Sequence, residues 1–97
     1  MEIGIQEQLD RLFELVEDSD GILLSVVKDK QSHTYKSDFT FVYPEDGYLC
    51  FDITLEEVIL LKYKNDEIKK IDFNLESKFK NISIYLKEND ILVIHIF

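Results

Sequence analysis

This chain of 97 residues has one cysteine, one proline, three glycines and a single arginine, and each scarcity closes off a class of function. The lone Cys50 rules out an internal disulfide framework. The glycines at 4, 21 and 47 stand singly, so no Gly-rich loop is present to cradle a phosphate. With one Arg, the chain is poor in the clustered cations that grip a nucleic-acid backbone, and direct nucleic-acid binding is disfavoured. No apolar run approaches the ~20 residues of a membrane-spanning helix. No charged-then-apolar leader opens the sequence, so a reducing cytoplasm is the expected compartment. Catalytic, metal and nucleotide motifs are missing too. Asp18-x-Asp20-Gly21 starts like a calcium loop but lacks a third ligand before its glycine and the later bidentate Glu. No metal and no cofactor are expected.

What is present is apolar residues at 45%, enough for one compact domain over residues 1–97. The net charge of −9 is uneven: residues 1–60 hold 14 acids and 4 bases, residues 61–97 hold 6 acids and 7 bases. Acidic surfaces keep small proteins in solution, and they also attract cationic ones, including the basic clefts of nucleases.

Residues 5–18 predict an amphipathic helix. At 100° per residue Ile5, Leu9, Leu12, Phe13 and Val16 share one arc, and Glu7, Asp10, Glu14, Glu17 and Asp18 occupy the other side. Glu7, four residues before Arg11, is placed for an ion pair, and Gly21 suits the helix exit. From Ile22 onward the pattern changes to β-branched and aromatic runs. Strands are expected at 22–27, 32–36 (polar, hence an edge), 39–43, 48–53, 68–73, 82–86 and 91–97. The last is the most apolar and so should be central. Pro44-Glu-Asp-Gly47 reads as the turn of a hairpin in which Tyr43 faces Tyr48. Residues 55–62 could be a helix behind a Thr54-x-x-Glu57 capping box or a strand paired with 68–73, and the β-branched content favours the strand. Residues 74–80 read as a polar loop with room for one helical turn. Connections too short for parallel crossovers give an α+β fold: one helix on a curved, mainly antiparallel sheet of six to seven strands, half-barrel-like. Several strands are apolar on both faces, which one helix cannot cover. The sheet must curl onto itself, or one face serves as a protein interface.

The chemistry-bearing side chains are few. His33 and His95 would need to oppose each other across a cleft for acid–base work, and a hydrogen-bonded structural role suits His95 better. Cys50, between Leu49 and Phe51, reads as a small buried hydrophobe. Recognition is the better reading, since tyrosines anchor interfaces with large area and little rotamer entropy. The candidate partner-binding set is Asp38, Tyr43, Glu45, Asp46, Tyr48, Asp52, Glu56 and Glu57, with Glu17, Asp18 and Asp20 at the helix end as a secondary site.

In size, acidity, one-domain α+β build and lack of chemistry the chain resembles the cognate immunity proteins of bacterial polymorphic and contact-dependent growth inhibition toxins. The resemblance implies a cytosolic inhibitor, not an enzyme, whose partner is a basic protein such as a toxin nuclease domain. Acidic side chains would then stand in for substrate phosphates. Two other readings are a nucleic-acid mimic or phage-type inhibitor of another basic protein, and a small enzyme or ligand-binding half-barrel using His33 and His95.

Overall fold

The computed structural model describes residues 4–36, 39–54, 57–76 and 78–97. The apolar stripe forms α1, Ile5–Glu17. Leu9 and Leu12 are buried, and Ile5, Phe13 and Val16 pack partly against the same core, as a 3.6-residue repeat requires. Arg11 does not pair with Glu7: its guanidinium lies 4.6 Å from the centre of the Phe73 ring and fastens the helix to the sheet. The helix also ends without help from Gly21, which lies outside the left-handed region. Instead Ser19 turns the chain, its hydroxyl donating to the Val16 carbonyl at 2.6 Å and its N–H to the same oxygen at 3.1 Å.

Eight strands follow: β1 Ile22–Lys28, β2 Gln31–Tyr35, β3 Phe39–Glu45, β4 Tyr48–Thr54, β5 Val58–Lys64, β6 Ile68–Asn74, β7 Asn81–Leu86 and β8 Ile91–Ile96. They form two antiparallel sheets, a five-stranded one in the order β2-β1-β8-β7-β6 and a three-stranded one in the order β3-β4-β5. The class is the α+β expected. The curvature is resolved by splitting the strands into two facing sheets, which do not close into a barrel. As its composition requires, β8 is central and the polar β2 is an edge.

The inner faces meet in one core. Ile22 and Leu24, Leu92 and Ile94, Ile82 and Ile84, and Ile68 and Ile71 come from the larger sheet; Leu49, Phe51 and Ile53 come from β4. Each fully buried side chain of this size stabilises the fold by about 1.5–3 kcal/mol relative to exposure. Helix α1 lies against β6 and β3 and closes one side.

Three local expectations are corrected. First, residues 58–64 are a strand, but β5 pairs with β4 and β6 pairs with β7. The polar break before β6 is a 3₁₀ turn, Asn65–Glu67, that carries the chain from one sheet to the other instead of reversing it within one. Second, the β3–β4 turn is the two residues Asp46 and Gly47, with φ of 33° and 83°, so Tyr43 faces Cys50 and Glu45 faces Tyr48. Such paired positive φ values match the twist of a hairpin, whereas Pro44 stays in the edge strand, where a missing N–H is tolerated. A slip of two residues leaves the assignment of faces intact. Third, among the described residues of the 75–80 loop there is no helical turn.

Candidate protein-docking face

Because β3, β4 and β5 pair in register, the residues on the outer side of the small sheet can be read directly. Phe41 stands opposite Asp52, Tyr43 opposite Cys50 and Glu45 opposite Tyr48. Across the other ladder Asp52 meets Leu60, Cys50 meets Lys62 and Thr54 meets Val58. Their inner-face neighbours Leu49, Phe51 and Ile53 are fully buried, so this set faces out. Phe41, Val58 and Leu60 are 59%, 68% and 52% exposed, three of the five exposed large hydrophobic side chains among the described residues. The sequence pointed to Tyr43, Glu45, Tyr48 and Asp52, and the fold brings these four together on this face. It did not single out Phe41, Val58, Leu60 or Lys62. Val58-Ile-Leu-Leu61 is apolar at every position, and only packing decides that Ile59 and Leu61 turn inward.

Several polar groups on this face are partnered with one another. Lys62 Nζ sits 3.3 Å from Glu45 Oε2, and the Cys50 thiol donates weakly to the same oxygen at 3.7 Å. The hydrogen bond and charge of Glu45 hold the Lys62 ammonium above its ordinary range. Burial pushes the Cys50 thiol up, and Glu45 adds to the shift, which makes it an unreactive thiol beneath the face. Tyr43 donates to Asp52 Oδ1 at 3.1 Å; desolvation first and that carboxylate second raise its phenol. Lys62 also lies 5.6 Å from the centre of the Tyr48 ring. On this face Asp52 of the central strand stands between Phe41 and Leu60 of the two outer strands, and Lys62 offsets only Glu45, so the face is apolar at its flanks and less acidic than the sequence suggested.

The acid lies next door. A groove of about 550 Å³ runs between the end of α1 and β3, with Phe13, Val16, Phe41 and Pro44 on its walls and Glu17 and Asp20 at its margin. Glu17 and Asp20 thus share a groove with Phe41 and Pro44 of β3, and Tyr43, Glu45, Tyr48 and Asp52 do not line it. Asp18 points elsewhere, to a smaller cleft beside Leu15 and Lys80. Asp46 is in the hairpin turn and Glu57 is exposed just before β5; Asp38 and Glu56 lie outside the described residues.

The two histidines share no cleft. His33 stands opposite Val26 and His95 opposite Leu23, positions of opposite parity on β1, so they lie on opposite faces of the large sheet. His33 makes an edge-on contact with Tyr35 at 4.5 Å, and His95 Nε2 lies 3.0 Å from the hydroxyl of buried Ser25. Among the described residues no helix is long and apolar enough to cross a membrane.

Fold and surface together define an α+β domain of two facing antiparallel sheets with an exposed apolar and aromatic face bordered by an acidic groove. No family model matches the chain, and no curated protein or solved structure matches it.

Proposed function

We propose that the chain is an inhibitory protein-binding module, in its most concrete form an immunity protein that binds and blocks a cationic nuclease toxin. The observation that carries this reading is the placing of Phe41, Val58 and Leu60, all more than half exposed, on one face beside Tyr43 and Tyr48. Exposed apolar patches of this kind lower the solubility of a free protein and mark protein contacts. Aromatic side chains are the anchors that concentrate binding energy in an interface.

Charge supplies the chemistry of the partner. The chain carries −9, and Glu17 and Asp20 border the groove with no ion pair among the described residues. A partner Lys or Arg entering beside Phe41 would meet carboxylates at the margin and apolar stem contacts along the walls. Asp52 keeps one oxygen for a second cation, since Tyr43 occupies only Oδ1. In this mechanism the carboxylates occupy the places of substrate phosphates, and complementary fields speed the encounter.

The test is co-expression with the product of the adjacent reading frame, followed by purification in high salt and a nuclease assay of that product. The reading expects a one-to-one complex that suppresses nuclease activity and is lost in the Phe41→Asp, Leu60→Asp double variant. A complex unaffected by that pair, or no inhibition, would overturn it.

A further inference from the structure

Of the five best-formed clefts among the described residues, four include carboxylates: Glu17 and Asp20 in the groove above, Asp18 in the second, Glu67, Glu88 and Asp90 in the third, and Asp29 in the fourth. The fifth has no acidic side chain among the described residues, in a chain with 20 acids against 11 bases. It measures about 600 Å³, within the range of small-molecule sites.

Its position is on the outer side of the large sheet, and none of its lining residues belongs to β3, β4 or β5. The floor is Leu23 of β1, Thr34 of β2 and His95 of β8, three neighbouring strands. Beneath them Ser25, only 5% exposed, lies 2.7 Å from Thr34 Oγ1 and 3.0 Å from His95 Nε2, a hydrogen-bonded chain that fixes the hydroxyl and the imidazole in place. Lys78 and Lys80 form one wall, and the Lys80 carbonyl accepts from the Ile96 N–H at 3.0 Å, which ties that wall to β8. Phe79 and Phe97, exposed at 78% and 63%, supply the apolar rim.

We propose that this cleft binds a small anionic amphiphile: a carboxylate or phosphate head held by Lys78 and Lys80 above the Thr34 hydroxyl, with an apolar body between Leu23, Phe79 and Phe97. Each half of the cleft selects one half of the ligand. The ammonium groups and fixed polar floor answer an anionic head, and the exposed rings gain by covering an alkyl chain. The inference stands apart from the docking face and does not depend on the nuclease reading.

The experiment follows the amide spectrum of the ¹⁵N-labelled protein during titration with decanoate, with decylammonium and acetate as controls for head charge and apolar body. Decanoate should give saturable shifts at Leu23, Thr34, His95 and Ile96, at least tenfold tighter than either control. Lys78→Glu with Lys80→Glu should weaken it at least tenfold while the rest of the spectrum stays folded; Lys69→Glu with Lys70→Glu on β6 should not. Co-sedimentation with phosphatidylglycerol vesicles, lost in the Lys78/Lys80 variant, would assign the head to a bilayer lipid, whereas decanoate shifts without co-sedimentation assign a free acid. Absence of both responses, non-saturable shifts, or equal binding of decylammonium would overturn the proposal.

Discussion

Helix α1 ends in an electrostatic conflict. A helix C-terminus carries roughly half a negative charge, yet Glu14 and Glu17 occupy the last turn, Asp18 is the C-cap, and no basic residue lies in that turn. Each misplaced carboxylate costs about 0.3–1 kcal/mol at low ionic strength, and Glu14 repels Glu17 and Asp18 at helical spacings of three and four by about 0.2–0.5 kcal/mol each. All three are exposed, so the lower ends apply. Glu17→Gln with Asp18→Asn, nearly isosteric, should stabilise the protein by about 1 kcal/mol, which for a domain of this size raises the melting temperature by roughly 4–8 °C. Thermal unfolding followed by circular dichroism in low salt measures it. In 1 M salt the screening length falls to about 3 Å and most of the gain should vanish. The double variant should also bind a cationic partner more weakly, because Glu17 borders the groove. No gain in low salt, or a gain that persists in 1 M salt, would refute the electrostatic reasoning.

Other expectations concern the core, the turn and alkaline pH. Leu12→Ala empties a fully buried position between helix and sheet and should cost about 2–5 kcal/mol in urea unfolding, much of a typical total of about 5–15 kcal/mol; a loss below ~1 kcal/mol would mean the helix is not seated as described. Gly47→Ala meets no atom within 4 Å, so its cost, about 1–2 kcal/mol, comes only from holding an L-residue at φ +83°, and Gly47→D-Ala should restore the stability. Tyr43, Cys50, Lys62 and Tyr63 all have raised pKa values, Tyr63 through burial. A raised folded-state pKa gives stability that is complete below the unfolded value and is lost as pH rises through the folded one. The melting temperature should therefore start to fall above about pH 9, where an unfolded thiol ionises, and continue past pH 10 as the phenols and Lys62 follow. Tyr63→Phe should flatten part of that decline; a flat profile from pH 8 to 11 would contradict the assignments.

Elements whose side-chain period was reinforced by a single partner were legible from the sequence. Leu9 and Leu12 repeat at helical spacing, and Ile91 to Ile96 carry so little charge that only a central strand can bury them. What escaped depended on contacts between segments distant in the chain. Asn65 to Glu67 has the polar composition of a hairpin turn, and nothing local distinguishes reversal within one sheet from passage to another. Pro44 was read as the start of a turn because proline commonly opens one, but the two positive φ values fall on Asp46 and Gly47. The acidity of the hairpin was overestimated because Lys62, which offsets Glu45, reaches it only through the β4–β5 ladder. Arg11 likewise answers to Phe73, 62 positions away, and not to Glu7. The docking face was half legible: parity put Tyr43 and Tyr48 on one face and Asp52 was grouped with them, but Glu45 was read as a turn residue, and Val58 and Leu60 could be separated from Ile59 and Leu61 only by the fold.

Calorimetric titration of the co-expressed partner against matched variants on two faces tests the docking claim most directly. Phe41→Asp with Leu60→Asp and Phe79→Asp with Phe97→Asp place the same charge at similarly exposed apolar positions, the first pair on the small sheet and the second on the rim of the other cleft. If the small sheet is the interface, the first pair loses about 3 kcal/mol or more, over 100-fold in Kd, and the second changes Kd less than about threefold. Equal losses, or a larger loss from the second pair, would contradict the account.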